Sequence, residues 1–125
     1  MAAAAYDPIM TDGGSNLAER LQQLLSERDV PGLVALYEPD AEIVRFDGCS
    51  RGADEILDFF EQYLATHGRF DLHTIDPYRA ADDIVMWDAL SYTDDGVLHT
   101  SNVVVLGDDG LIRRHMPGIL GYWGR

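Results

Sequence analysis

Residues 36–48, LYEPDAEIVRFDG, close on a short apolar run that carries Arg45 and Asp47. Two positions apart on a strand puts both side chains on one face. Bordering a cavity, Arg45 can hold a carboxylate ionised or bind an anionic or carbonyl oxygen of a ligand. On an edge strand the same charges face water and discourage edge-to-edge pairing. The residues alone leave both readings open. In DIVMWDALSYT, residues 83–93, one alternating set is Ile84, Met86, Asp88, Leu90 and Tyr92, and the other is Val85, Trp87, Ala89 and Ser91. If the first set points inward, Asp88 is a carboxylate among apolar neighbours and must be paired or have a raised pKa, which makes it a candidate acid or base. The alternative is an aspartate on an exposed or dimer-facing side. In LIRRHMPGILGYW, residues 111–123, His115 could carry a proton at neutral pH or be a hydrogen-bonded core residue.

The remaining chemistry is narrower. His73 and His99 fall on separate strands and read as surface or dimer-face residues, and no histidines have i,i+4 or H-x-H spacing, so a metal is not expected. Cys49 has no histidine beside it in sequence and is not read as a nucleophile. Phosphate loops, a G-x-S-x-G elbow and dinucleotide fingerprints are absent, so no cofactor is expected. With 22 acidic against 9 basic residues the net charge is −13, which argues against nucleic acid and against an anionic membrane surface. A single cysteine fits a reducing cytoplasm, and no apolar run approaches the roughly 20 residues needed to span a bilayer.

Those residues need a frame. At 125 residues the chain is one domain. Residues 1–14 read as a loose arm, with Met10 a possible alternative start, and 15–125 as a single domain. Asn16 with Glu19 is a capping-box pattern, and the leucines that follow predict a helix over 16–28. Pro31 in a first turn predicts a short helix over 30–38, ending at Pro39 and bearing Tyr37. AEIVRF predicts a strand, and residues 52–67 a third helix with Phe59, Phe60 and Tyr63 on one face and Gly68 as its stop. Four long strands follow, joined at AADD, TDDG and GDDG. The result is an α+β domain in which three helices pack on a strongly curved, mostly antiparallel sheet around a cone-shaped space.

The order L-x-x-L-Y-x-x-D-A-x-I, then R-G-x-x-x-I-x-x-F-F, then a last strand opening on D-G-x-I, resembles the NTF2-like superfamily (cystatin-like cone), in its SnoaL-like and ketosteroid-isomerase-like branch, over roughly residues 16–123. The resemblance implies a pocket inside the cone and a homodimer built sheet to sheet. It places Arg45 where the isomerase has its general-base aspartate, puts Leu21 and Asn102 at the oxyanion positions, and puts Phe60 at a supporting tyrosine. Leucine and phenylalanine donate no hydrogen bond to an enolate, so the isomerase mechanism itself does not carry over. Met116 and Pro117 stand where the branch commonly has a tryptophan–aspartate pair. The same alignment turns Met86, Asp88, Tyr92 and His115 toward the cavity, beside Tyr37, Phe59, Phe60 and Asn102.

The resulting expectation is a cofactor-independent enzyme of isomerase, cyclase, epoxide-hydrolase or dehydratase type, acting on a mostly apolar, oxygenated small molecule. His115 and Asp88 would form the acid/base pair, with Asp47 and Arg45 next in line. The competing expectation is a non-catalytic binding or interaction module on the same fold. A sheet face bearing Val85, Trp87, Ala89 and Val103 would form the dimer seam.

Overall fold

Ala18, Leu21, Leu24 and Leu25 recur at helical spacing and are all at most 3% exposed, so helix α1 (Ser15–Glu27) buries one stripe. The computed structural model describes residues 15–124, apart from the side chains at 15, 16, 72–74 and 76–81. The expected arm over 1–14, the alternative start at Met10, the capping side chain of Asn16 and the orientation of His73 therefore lie outside the described residues. Helix α1 ends at Arg28, whose φ of 57° is left-handed and whose N–H reaches the Leu25 carbonyl at 3.1 Å. Asp29 then caps helix α2 (Val30–Val34), accepting from the Gly32 N–H at 2.9 Å, with Pro31 in the first turn.

The predicted second helix ran four residues too far. Tyr37 does not end a helix but opens strand β1 (Tyr37–Arg45), and Pro39 lies inside that strand. The β1 pairing shifts register between Tyr37 and Glu42, an irregularity of the kind that accommodates a proline without a ladder N–H. Strand β2 (Gly48–Arg51), absent from the sequence reading, returns antiparallel to β1 across Phe46 and Asp47. Helix α3 (Gly52–His67) starts with the Arg51 N–H bonded to Glu55 Oε1 at 2.8 Å. It stops at Gly68, where φ is 72° and an added Cβ would collide with the Asp94 carboxylate, so glycine is required twice over.

The meander consists of β3 (Phe70–Ala81), β4 (Ile84–Thr93), β5 (Gly96–Leu106) and β6 (Ile112–Gly124). The six-stranded sheet has the order β2-β1-β6-β5-β4-β3, and β1–β6 is its parallel pair. Glu42 sits at that junction, bonded to Arg51 and, at 3.0 Å, to Arg114, which holds its carboxyl below the usual range. The three helices pack on one side, α1 and α3 over the sheet. Among the described residues no helix is long and apolar enough to cross a membrane.

Strand β4 lies in the opposite phase to the one expected. Val85, Trp87, Ala89 and Ser91 are buried beneath the helices, with Trp87 0% exposed. Ile84, Met86, Asp88, Leu90 and Tyr92 face away from them, and of the expected seam only Val103 lies on that outer side. Both alternating sets of β4 are apolar, so hydrophobicity does not choose between them, and a slip of one residue exchanges every side chain between faces. The turn holds the missing clue. Asp94 and Asp95 form a two-residue loop between Thr93 and Gly96, which aligns Trp87 with Asn102 and Asp88 with Ser101. Since Asn102 points inward, Trp87 must as well.

Candidate functional site

A cleft of about 820 Å³ runs along α3, between that helix and the inner face of the sheet. Its walls are mainly apolar, contributed by Leu21, Leu25, Phe59, Phe60 and Ile119. At its closed end three strands bring together side chains far apart in sequence. The Tyr37 hydroxyl from β1 lies 2.8 Å from His115 Nδ1 on β6, and His115 Nε2 lies 2.9 Å from Asn102 Oδ1 on β5. Asn102 Nδ2 in turn donates to Thr100 Oγ1 at 3.3 Å. Thr100, Asn102 and His115 line the cleft, and Tyr37 stands behind the imidazole.

Physical chemistry assigns the protons in this relay. Burial pushes the Tyr37 phenol far above its ordinary range, so it keeps its proton and donates. Burial also pulls His115 down to about 3, so its ring is neutral at physiological pH. Nδ1 therefore accepts from Tyr37, and Nε2–H donates to Asn102. The second Asn102 amide hydrogen and the Thr100 hydroxyl hydrogen have no acceptor among the described residues, and they present two donors to the cleft. An acceptor oxygen on a ligand is the group that suits them. Trp87, 6.2 Å ring to ring from His115, is buried with its indole N–H unpaired.

Charge gathers at the open end. Arg45 Nε bonds to Asp47 Oδ1 at 3.2 Å, Nη1 donates to Ser50 Oγ at 2.8 Å, and the guanidinium lies 5.0 Å from the Phe59 ring centroid. Glu55 and Asp58 of α3 line the same rim. Arg45 and Asp47 thus border a cavity and also meet water, Asp47 with its side chain 83% exposed.

The expected acid/base pair does not form. Asp88 lies on the outer face, 3.2 Å from His99 Nε2, with the sheet between it and His115. Met86 and Tyr92 share that outer face and line no part of the cleft. Phe59, Phe60 and Asn102 do line it, and Tyr37 stands behind them against His115 and Phe60. Several lining residues were missed. Gln22 sits on the buried stripe of α1 at 5% exposure and accepts from Ser91 Oγ at 3.4 Å, and a polar residue one step from Leu21 was the available signal. Thr100 follows from Asn102 by strand alternation. His67, in the last turn of α3, also lines the cleft, and no spacing in the sequence announces it. Among the described residues no cluster of three or more His, Cys, Asp or Glu side chains is placed to hold a metal ion.

Comparison with known proteins agrees with this architecture. None of the curated proteins matches the chain. A crystal structure of a protein from Sphaerobacter thermophilus is similar at a TM-score of 0.72 and 22% identity, covering 87% of this chain and 97% of that one. A SnoaL-like protein of unknown function from Burkholderia thailandensis superposes at 0.70 with 14% identity over 86% and 95% of the two chains. A protein from Agrobacterium tumefaciens, named as a candidate isomerase of the SnoaL-like family, reaches 0.71 at 17% identity over 86% and 97%. These likenesses concern the fold. The SnoaL-like domain model matches residues 18–115, from the first buried alanine of α1 to the histidine at the closed end of the cleft, and the chain belongs to the SnoaL-like family.

Proposed function

We propose that the cleft receives a small, mostly apolar molecule whose carbonyl, ether or hydroxyl oxygen accepts from Asn102 and Thr100. One observation carries this reading: an apolar cleft of about 820 Å³ ends on a relay with two uncommitted donors. Cofactor-independent turnover of isomerase, cyclase, epoxide-hydrolase or dehydratase type follows, in which those donors take up negative charge developing on the oxygen. Arg45 serves a second oxygen at the mouth, with Asp47 beside it as a carboxylate that can move a proton. The name of the Agrobacterium protein points the same way. A non-catalytic binding role is the second reading, favoured by His115 itself. Both of its ring nitrogens are engaged by the protein and its neutral form is enforced, so the ring fixes Asn102 rather than shuttling protons.

The test is a titration of 2-acetylnaphthalene, an apolar ketone, followed through the Thr100 and Asn102 amide signals. Asn102→Leu should weaken binding by about tenfold or more, because the ketone oxygen then enters an apolar site unpaired. Equal affinity in that variant contradicts the reading. In its cellular setting the chain acts in the cytoplasm, where the exposed thiol of Cys49 stays reduced.

The assembly we propose is a homodimer through the outer face of the sheet. There Met86, Leu90, Val97 and Val103 join the exposed Tyr92, Met116 and Trp123 around the Asp88–His99 pair. Sedimentation at micromolar concentration should give the mass of two chains, and Trp123→Glu with Met116→Glu should give one. A monomeric parent chain overturns this assembly.

A further inference from the structure

Far from the relay, the cleft passes a second histidine. His67 closes α3, its ring edge-on to Tyr63 at 5.0 Å and to Phe70 at 5.7 Å between centroids, so two aromatic contacts fix the imidazole plane. Its Nδ1 is buried without a hydrogen-bond partner, and Asp95 Oδ1 lies 3.7 Å away. A buried ring nitrogen that lacks a bond by less than one ångström is a costly state. Asp95 Oδ1 is the acceptor placed to relieve it.

The carboxylate is built for that position. Asp95 Oδ1 accepts the Thr93 hydroxyl at 2.6 Å, and the Tyr122 hydroxyl holds the Asp95 carbonyl at 2.5 Å. The Thr93 bond foremost, against some desolvation, keeps Asp95 below the usual carboxylate range and therefore anionic. Other charges lie near on every side: Asp94 bonds to His67 O through its N–H at 3.1 Å, Arg28 reaches Gly68 O from the end of α1, and Arg69 follows on the chain. None of them contacts the ring nitrogens. Nε2 carries no hydrogen bond among the described residues and belongs to a residue that lines the cleft.

We propose that His67 is the general base of the cleft and that Asp95 is its positioning residue. An Nδ1–H···Asp95 bond places the proton on Nδ1 and leaves the Nε2 lone pair for the ligand. In a proton-transfer reaction Nε2 takes a proton from a ligand carbon conjugated with the carbonyl through intervening C=C bonds. The C–H electron pair moves onto the carbonyl oxygen held by Thr100 and Asn102, and the imidazolium returns the proton to another carbon of the same enolate. No oxidant, reductant or cofactor enters that balance. The proposal rests on the cleft being the ligand site, and it supplies the base that His115 cannot be.

The probe is 5-nitrobenzisoxazole, which one base converts to a coloured phenolate: Nε2 takes the ring C–H proton, a nitrile forms, the N–O bond breaks, and the proton then passes to water. Bound probe should shift the Thr100 and Asn102 amides. Turnover should fall about 10²-fold in His67→Gln and roughly tenfold in Asp95→Asn. Because His67 also packs against aromatic rings, the second measurement uses the unaltered chain: imidazole nitrogen spectra at about pH 8, above the ordinary histidine range. They should show the Nδ1–H tautomer for His67, and Asp95→Asn should shift it toward Nε2–H. Probe that shifts the amides with full turnover in His67→Gln, or an Nε2–H tautomer in the parent chain, overturns the base and leaves the cleft reading standing. Unmoved amides together with full turnover in His67→Gln overturn both.

Discussion

Trp87→Ala is expected to lower the free energy of unfolding by about 3–5 kcal/mol, the range for removing a large aromatic from a closed core. Trp87 is 0% exposed, the largest of the fully buried side chains among the described residues, and its ring lies 6.2 Å from that of His115. Met86→Ala, one residue earlier on the outer face, should cost about 1 kcal/mol or less, so the two variants read the strand phase directly. Trp87→Phe is the informative intermediate. It leaves a smaller cavity and also removes an indole N–H that is buried without a partner, a group that carries a penalty of about 1–3 kcal/mol. The two changes offset, and the expected loss is below about 1.5 kcal/mol. Urea unfolding of the three variants checks the order, and equal losses for Trp87→Ala and Met86→Ala would contradict the fold described above.

His115→Ala carries the second large effect, and it falls on stability as well as on ligand binding. Removing the ring strands the Tyr37 hydroxyl and Asn102 Oδ1, both in a buried setting, at about 1–3 kcal/mol each. A loss of roughly 3 kcal/mol at neutral pH is expected. The loss depends on pH in a definite direction. In the unfolded chain His115 takes a proton near its ordinary 6.5, while in the folded chain it does not until about 3. Between those values the unfolded state binds more protons, so stability falls as pH falls, by roughly 1.4 kcal/mol per pH unit. The contribution is fully present above the unfolded value and is lost on the way down to the folded one. The alanine variant lacks this slope. The gap between parent and variant should therefore narrow steadily from neutral pH to about pH 4, with the many carboxylates cancelling between the two chains.

Much of this architecture could be read from spacing. The stripe of α1, the proline that opens α2, the glycine that closes α3 and the turn dipeptides of the meander are local signals, and each acts through backbone chemistry within a few residues. What escaped was decided at longer range. Tyr37 reads as the end of a helix because it follows Leu33 and Leu36 at helical spacing. Pairing of β1 with β6, strands some seventy residues apart, draws it into the sheet instead. The phase of β4 escaped because Ile84, Met86 and Leu90 are as apolar as Val85 and Ala89, leaving only the bulk of Trp87 and the register of the Asp94–Asp95 turn to decide. Arg45, Asp47, Asn102 and His115 line the cleft, whereas Met86, Asp88 and Tyr92, which the family alignment also turned inward, face away from it. His67 escaped because its partner Asp95 belongs to a different hairpin, and only the folded chain brings them within 3.7 Å.

The central claim is that the closed end of the cleft is a neutral, fully bonded relay built on His115. Imidazole nitrogen spectra of the parent chain, followed from about pH 8 down to about pH 5, address it without any substitution or ligand. The relay predicts a His115 signal pair of the Nε2–H tautomer, coupled to the Tyr37 hydroxyl and unchanged across the whole range. A His115 ring that titrates near the ordinary 6.5, or that carries its proton on Nδ1, would contradict it.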